Sequence, residues 1–411
     1  MIMAQEQAIL KAQEQFAQIQ DFLRQACGAG RQIDQVESDL WGRILQLGRQ
    51  LLEGYVAGYR QGDLGPTLEQ DGRVLRRLEQ PHVRRYVSIF GPLEISRYVY
   101  GTRETQKHEV IPLDALLALP DSEFSYVLQD WDQGLCVQNS YGQSQGTIQR
   151  ILRLGQSVLS LEQMNNQMAA AVEPFWAQQP VVTEPEGPIL VVTADGKGVP
   201  MRRQDGGTKP VRRKKGQKAN PKREACVGGV YTIAPFVRGA EEVVDEILRD
   251  KRKAGRPRPQ NKKLHAELTR VIEGRESNGK DRIFAWLAEQ IRARNADGTK
   301  HPLKSSKRQR LAKVITYLEN NRSYMRYDVC LAQGYPIGSG VVEGACRHVV
   351  KDRMEGTGMR WCIAGAQSML HLRAIYLNGD WDAFQRYRIE TATRQLYPYR
   401  PFVHRLYRKT G

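Results

Sequence analysis

Residues 189–201 read ILVVTADGKGVPM, and no other stretch constrains the fold as tightly. Ile189 to Val192 form an unbroken apolar run of strand-forming residues, the pattern of a strand buried on both faces of a sheet. Asp195 follows, at the expected carboxyl end of that strand. Mixed α/β sheets commonly carry catalytic acids there, although Asp-Gly before Lys-Gly is equally an ordinary hairpin turn. Such a strand needs neighbours, and ACVGGVYTIAPFV at 225–237 reads as a second core strand. Beyond it the pattern reads as helices only: EEVVDEILRDKRK, then after the basic joint GRPRPQNKK, LHAELTRVIEG, DRIFAWLAEQIRARN and SKRQRLAKVITYLENN.

The second informative stretch is YPIGSGVVEGACRHVVKDRMEGTGMRW at 335–361. Gly338 and Gly340 flank Ser339, a candidate N-cap, and Val342, Ala345, Cys346 and Val349 then recur at helical spacing as a buried stripe. Glu343 lies off that stripe, with Arg347 and Lys351 following at i+4 and i+8. Two readings stand: a candidate catalytic carboxylate beside two cations, or a solvated face with an ordinary ion pair.

The remaining chain divides by texture. Residues 1–62 read as a helical hairpin broken at Cys27-Gly-Ala-Gly30. Ile9, Ala12, Phe16, Ile19 and Leu23 make one stripe, and Ile33, Val36, Leu40, Ile44, Leu47 and Leu51 the other; they pack internally or against a second subunit. Residues 63–112 alternate in short segments separated by Gly-Pro and Gly-Thr turns, a small antiparallel β meander. Arg84, Arg85, Tyr86, Arg97, Tyr98 and Tyr100 on it suit either a nucleic-acid face or a half-exposed sheet. Residues 113–179 return to helix and contain a helix-turn-helix-like segment. Its recognition helix is expected to begin near Ser144, with Ile148, Ile151 and Leu152 inward and Thr147, Gln149 and Arg150 outward. Residues 180–377 hold the two carboxylate stretches. Residues 378–411 form a basic aromatic tail, either a nucleic-acid strap or a packed arm.

Charge narrows the partner. Lys plus Arg number 62 against 45 Asp plus Glu, a formal net charge of +17. Residues 197–223 alone hold eleven Lys or Arg and one acid, Asp205. Double-stranded DNA is the simplest polyanion to match this excess, since an anionic membrane surface usually requires a basic amphipathic helix or lipid anchor too. No apolar run reaches membrane-spanning length and the first residues lack a signal-peptide pattern, so a cytoplasmic, nucleoid-associated protein is expected. Six cysteines without a CxxC pair argue against a zinc ribbon or a disulfide framework, and are expected reduced and mostly buried.

A strand ending in an acid, a late helix carrying another and a helix-turn-helix candidate are the layout of a ribonuclease H-like nuclease. In VVTADGKGVPMRR, REACVGGVYTIAPF, DRIFAWLAEQIRARN and YPIGSGVVEGACRHVVKDRMEGTGMRW the chain resembles bacterial insertion-sequence transposases of the ISKra type, an Asp-Asp-Glu group. The resemblance implies an α+β multidomain protein with a ribonuclease H-like catalytic domain. It further implies Asp195 and Glu343 as first and last catalytic acids, both ligands of Mg²⁺ or Mn²⁺, and no organic cofactor. The partners it implies are the element's terminal repeats and target DNA, engaged by a homo-oligomer. Candidate DNA contacts are Gln149, Arg150, Lys197, Arg202, Arg203, Arg212, Arg213, Lys214, Lys215, Arg347, Lys351, Arg353 and Arg360.

One departure matters. In the family, the helix matching DRIFAWLAEQIRARN is followed by an apolar strand delivering the second Asp. Here Asn295-Ala-Asp-Gly-Thr-Lys300 runs directly into His301, and no apolar run ending in an acid occurs between 238 and 336. The chain therefore reads as a transposase with an internal deletion and a truncated catalytic domain. Region 240–335 is expected to fold poorly and cleavage to be weak or absent, the alternative being a non-catalytic DNA-binding remnant.

Overall fold

The computed structural model describes residues 2–70, 72–102, 110–179, 187–202, 222–239, 256–268 and 326–410, with isolated positions 242, 316 and 320. It mixes helix and sheet and divides into two compact units. The first comprises Met1–Pro180, Pro200–Pro221 and Lys351–Gly411, the second Val181–Val199 and Lys222–Val350.

The first unit opens with an antiparallel hairpin of α1 (Ile2–Gly28) and α2 (Ile33–Ala57). The chain reverses at Gly30, whose φ of +61° is a conformation that costs glycine least. Ala12, Ile19 and Ala26 are buried along α1, and Gly54 of α2 lies so close to Ala8 that a Cβ there would sit 3.4 Å from the Ala8 Cβ. Small residues thus set the spacing of the hairpin.

Five short strands follow: β1 (Thr67–Gln70), β2 (Arg73–Arg77), β3 (His82–Ser88), β4 (Gly91–Arg97) and β5 (Tyr100–Gly101). They pair as β1-β2-β5 and as the hairpin β3-β4, with Tyr86 opposite Leu93. The arginines and tyrosines of this region are largely structural. Arg84 and Arg97 ion-pair with the buried Asp114 at 3.0 and 2.9 Å, and the fully buried Tyr100 hydroxyl donates to the Gly65 carbonyl at 2.8 Å. Arg85 stays on the surface beside Glu123 at 3.2 Å.

Helices α3 (Pro112–Leu117), α4 (Tyr126–Cys136), α5 (Tyr141–Leu152), α6 (Val158–Ala169) and α7 (Val172–Ala177) come next. The α4-turn-α5 pair matches the expected helix-turn-helix-like segment in place, but α5 starts three residues before Ser144. Ser140 and Gln143 form a reciprocal capping box that fixes the earlier start. Ile148 and Leu152 are buried as expected, whereas Ile151 is 50% exposed; Ser144 is 1% exposed and takes its place on the inner face.

The C-terminal residues form helices Ile363–Leu377, Trp381–Leu396 and Arg400–Thr410. Met369, Leu370, Leu372 and Ile375 are completely buried, while Ile363 at the start of the first of these helices is 49% exposed. The last segment is a packed arm: Val403 is fully buried with Leu68 and Leu75, Tyr407 stacks on Tyr59, and the Arg400 guanidinium donates to the Ala115 carbonyl at 2.8 Å.

In the second unit, β6 (Ile189–Pro200), β7 (Lys222–Ile233) and β8 (Gln260–Leu268) form one sheet in the order β6-β7-β8. Gly187 lies against Ile233, Gly196 against Glu224 and Gly198 against Lys222. Numbers fall on β7 as they rise on β6, so these strands are antiparallel, as are β7 and β8. Three expectations are corrected here. Among the described residues β6 is the outer strand of the sheet, and one face is open: Leu190 and Val192 are 65% and 71% exposed. Asp195 stands within the strand, five residues before its end, because Gly196 and Gly198 continue the ladder and leave room for the Glu224 and Lys222 side chains. Residues 260–268, read as a joint and a helix, are a strand whose buried side is Leu264, Ala266 and Leu268.

Helix α8 (Tyr327–Ala332) follows, and Gly334 beyond it has φ +73° with the Phe236 backbone nitrogen 2.6 Å from where a Cβ would be. Only glycine suits both constraints. α9 (Gly340–Ala345) then continues through a wide π-type turn, Cys346–Lys351, into Asp352–Met354. The widening breaks the strict i+4 and i+8 alignment expected of Glu343, Arg347 and Lys351. Val342, Ala345, Cys346 and Val349 are all buried, as their spacing predicts. The expected helices at 241–253, 281–295 and 306–321 and the proposed deletion point near 300 lie outside the described residues, apart from the isolated positions. No described helix is long and apolar enough to cross a membrane.

Candidate functional site: two carboxylates and a basic surface

The second unit brings Asp195 and Glu343, 148 positions apart in sequence, to one helix-sheet seam. α9 packs against β7, the strand beside β6. Cys346 on this helix is the link, for its thiol hydrogen-bonds the Asp195 carboxylate. Glu343 precedes Cys346 by three residues, about one helical turn.

Each acid is held by a local donor. The Asp195 Oδ1 accepts the Gly196 N–H at 2.8 Å. Ser339 occupies the N-cap position, but its hydroxyl caps no backbone N–H; it donates to a Glu343 carboxylate oxygen. The Ser339 carbonyl accepts the Glu343 N–H at 3.0 Å, so residue 339 anchors both ends of this acid. Both carboxylates face solvent, where an ion or a phosphodiester could reach them. Burial, then the negative charge of Asp195, push the Cys346 thiol up to about 11. It therefore stays a neutral donor at neutral pH rather than a thiolate ligand. Lys197 contributes an opposing positive field at the same place.

Two oxygen-bearing side chains near a backbone N–H and a lysine are chemically suited to a hard divalent cation. Mg²⁺ is commonly held by one or two protein carboxylates together with substrate phosphate oxygens and water. Sequence reasoning treated Cys346 as packing alone; nothing in helical spacing separates an inert buried thiol from one that orients a neighbouring acid. It also missed a further acid, Glu267, which β8 places opposite Cys226 and which contacts His265 at 2.9 Å.

The candidate DNA contacts fall into three groups. Gln149 and Arg150 on α5, Arg202, Arg347, Lys351 and Arg360 are exposed, and Lys197 is half-buried. Arg203, Arg212, Arg213, Lys214 and Lys215 lie outside the described residues. Arg353 is a correction: it is 1% exposed, and its Nε donates to the Cys136 carbonyl at 2.6 Å. Its guanidinium lies 5.0 Å from the ring centres of both Tyr141 and Trp361. It is a structural cation, inaccessible to phosphate. The cysteines are also more exposed than expected, with only Cys136 and Cys346 buried; all six are free thiols.

An unanticipated basic cleft of about 590 Å³ lies where α2 meets the end of α5, lined by Arg43, Arg49 and Arg153. The Arg153 guanidinium donates to the Ser38 carbonyl at 2.6 Å and the Trp41 indole to the Ile151 carbonyl at 2.6 Å, fixing this end of α5 to the hairpin.

Comparison with known proteins found no matching family model and no matching curated protein.

Proposed function

We propose that this chain is a DNA-binding protein of the insertion-sequence transposase kind, with a ribonuclease H-like second unit in which Asp195 and Glu343 hold Mg²⁺ or Mn²⁺. One observation carries the reading: the Cys346 thiol ties Asp195 to the helical segment that follows Glu343, and both acids are exposed to solvent. A bound divalent ion would polarise a phosphodiester and activate an attacking hydroxyl. The chain's own groups position the acids, through the Gly196 N–H, the Cys346 thiol and the Ser339 hydroxyl. Lys197 adds positive charge where a phosphate would arrive. The exposed Gln149 and Arg150 would meet the duplex from α5, and the net charge of +17 would draw the element's terminal repeats and target DNA to the surface. The protein would work in the cytoplasm, at the nucleoid.

The internal deletion read near residue 300 removes the second catalytic Asp, so this copy binds DNA and cuts it weakly or not at all. The test is incubation with duplex carrying the element ends in Mg²⁺ or Mn²⁺. Salt-sensitive binding with little cleavage is expected. Robust cutting that disappears in Asp195→Asn would overturn the deletion reading and establish an active nuclease; absence of DNA binding at low salt would overturn the whole proposal.

A further inference from the structure

We infer that the face of the α1–α2 hairpin is a self-association surface, closing on a second copy of this chain as an antiparallel four-helix bundle. The inference stands apart from the carboxylate site. Besides the residues that join the two helices, α1 carries a second apolar stripe. Ile9, Phe16 and Leu23 recur every seven residues and are 45%, 53% and 39% exposed. On α2, Ile44, Leu51 and Tyr55 are 41%, 53% and 55% exposed, with Leu40 half-buried beside them.

The two stripes share one side of the hairpin. Ala8 meets Gly54 and Gln5 meets Gly58, which identifies the line of contact on each helix. At 100° per residue, each stripe lies about 60° round from that line, in the same rotational sense. Because the helices are antiparallel, equal rotations bring both stripes to the same face.

The pattern on that face names its occupant. Ile9 and Leu23 are equidistant from Phe16; Ile44 and Leu51, like Leu40 and Tyr55, are equidistant from the Leu47-Gly48 midpoint. The Ala8-to-Gly54 and Gln5-to-Gly58 pairings, taken together, put Phe16 level with that midpoint to within about one residue rise, ~1.5 Å. A single two-fold axis in the face, crossing both helices there, therefore maps the apolar positions from Ile9 to Leu23 and from Leu40 to Tyr55 onto themselves, leaving Ile33 at the start of α2 outside the repeat. Phe16 would meet Phe16 of the partner subunit, Ile9 would meet Leu23 of the partner subunit, and Ile44 would meet Leu51 of the partner subunit. Glu6 and Arg24, at opposite ends of the α1 stripe, would be brought together across the interface. Self-complementarity of this kind is the requirement of an isologous dimer and no requirement of an unrelated partner. The seven-residue spacing is that of helix-on-helix packing.

The experiment is sedimentation equilibrium of the full chain, with cysteine cross-linking in a Cys27→Ser, Cys226→Ser, Cys362→Ser background. A dimer of the 46.8 kDa chain is expected, and Phe16→Glu should weaken it roughly a hundredfold or more while helix content by circular dichroism is unchanged. Phe16→Cys should cross-link to itself. Ile9→Cys alone should not, its copies lying about 21 Å apart, but a mixture of Ile9→Cys and Leu23→Cys should. A monomer at micromolar concentration, a dimer indifferent to Phe16→Glu, or self-cross-linking of Ile9→Cys would overturn the inference.

Discussion

Replacing Arg353 with alanine removes a buried cation from between two aromatic rings and leaves the Cys136 carbonyl without its 2.6 Å donor. Each cation–π contact in so dry a site contributes roughly 1–2 kcal/mol. The hydrogen bond from a charged donor to a buried carbonyl adds about 1.5–3 kcal/mol. Some of this returns as the site relaxes and as the desolvation cost of the guanidinium disappears, so the net loss is about 4 kcal/mol, in the range for breaking a buried charged site. For a unit of this size that lowers Tm by roughly 8–15 °C. Arg353→Lys restores the charge without the planar stacking surface or the Nε geometry and should recover less than half of the loss. The assay is differential scanning calorimetry of the full chain beside a DNA-binding titration performed well below both transitions. Arg353→Ala should lower the transition of the first unit and leave DNA affinity within about twofold. A variant with unchanged Tm and a tenfold loss of DNA binding would refute the structural role.

Asp132 is completely buried in the helical segment, accepts the Gln156 side-chain amide at 2.9 Å, and is pushed up to about 7 by burial. Its folded-state value lies above the ordinary carboxylate range, so between pH 4 and 7 the unfolded chain releases a proton that the native chain keeps, and stability falls as pH rises through this window. Asp132→Asn should therefore gain on the wild type as pH rises, reaching about 4 kcal/mol at pH 8, seen as a Tm difference larger at pH 8 than at pH 5; an equal difference at both would count against it. Arg150→Ala should weaken DNA binding several-fold and shallow the dependence of log affinity on log salt by about 1. An unchanged slope would remove α5 from the interface.

The parts of the fold that proved legible are those where one period excludes the other. The stripe Val342, Ala345, Cys346 and Val349 has only a helical reading, and each member is buried. QNKKLHAEL illustrates the converse: Leu264 and Leu268 are four apart and suit a helix face, yet with Ala266 between them they equally suit one side of a strand. Pairing with β7 decided for the strand, and that information lies 28 to 43 residues away. The apolar run Ile189–Val192 does not make a strand covered on both faces, because hydrophobicity marks what can be buried, not whether a neighbour arrives to cover it; Leu190 and Val192 remain exposed. Arg353 was assigned to the surface on charge alone. Its destination depends on Tyr141 and Trp361, which no local pattern connects. Asp195 and Glu343 were legible as candidates, but the thiol that holds Asp195 was not, since a hydrogen-bonding cysteine and a packing cysteine occupy the same helical position.

The central claim is that Asp195 and Glu343 act as a pair, and Mn²⁺ binding to the full chain, followed by electron paramagnetic resonance and calorimetric titration, tests it without reference to cleavage. One Mn²⁺ per second unit is expected in the wild type, competed by Mg²⁺, with affinity falling at least tenfold in both Asp195→Asn and Glu343→Gln, since a site with two protein carboxylates loses half its charge with either. Binding of equal strength in the wild type and both variants would contradict the account.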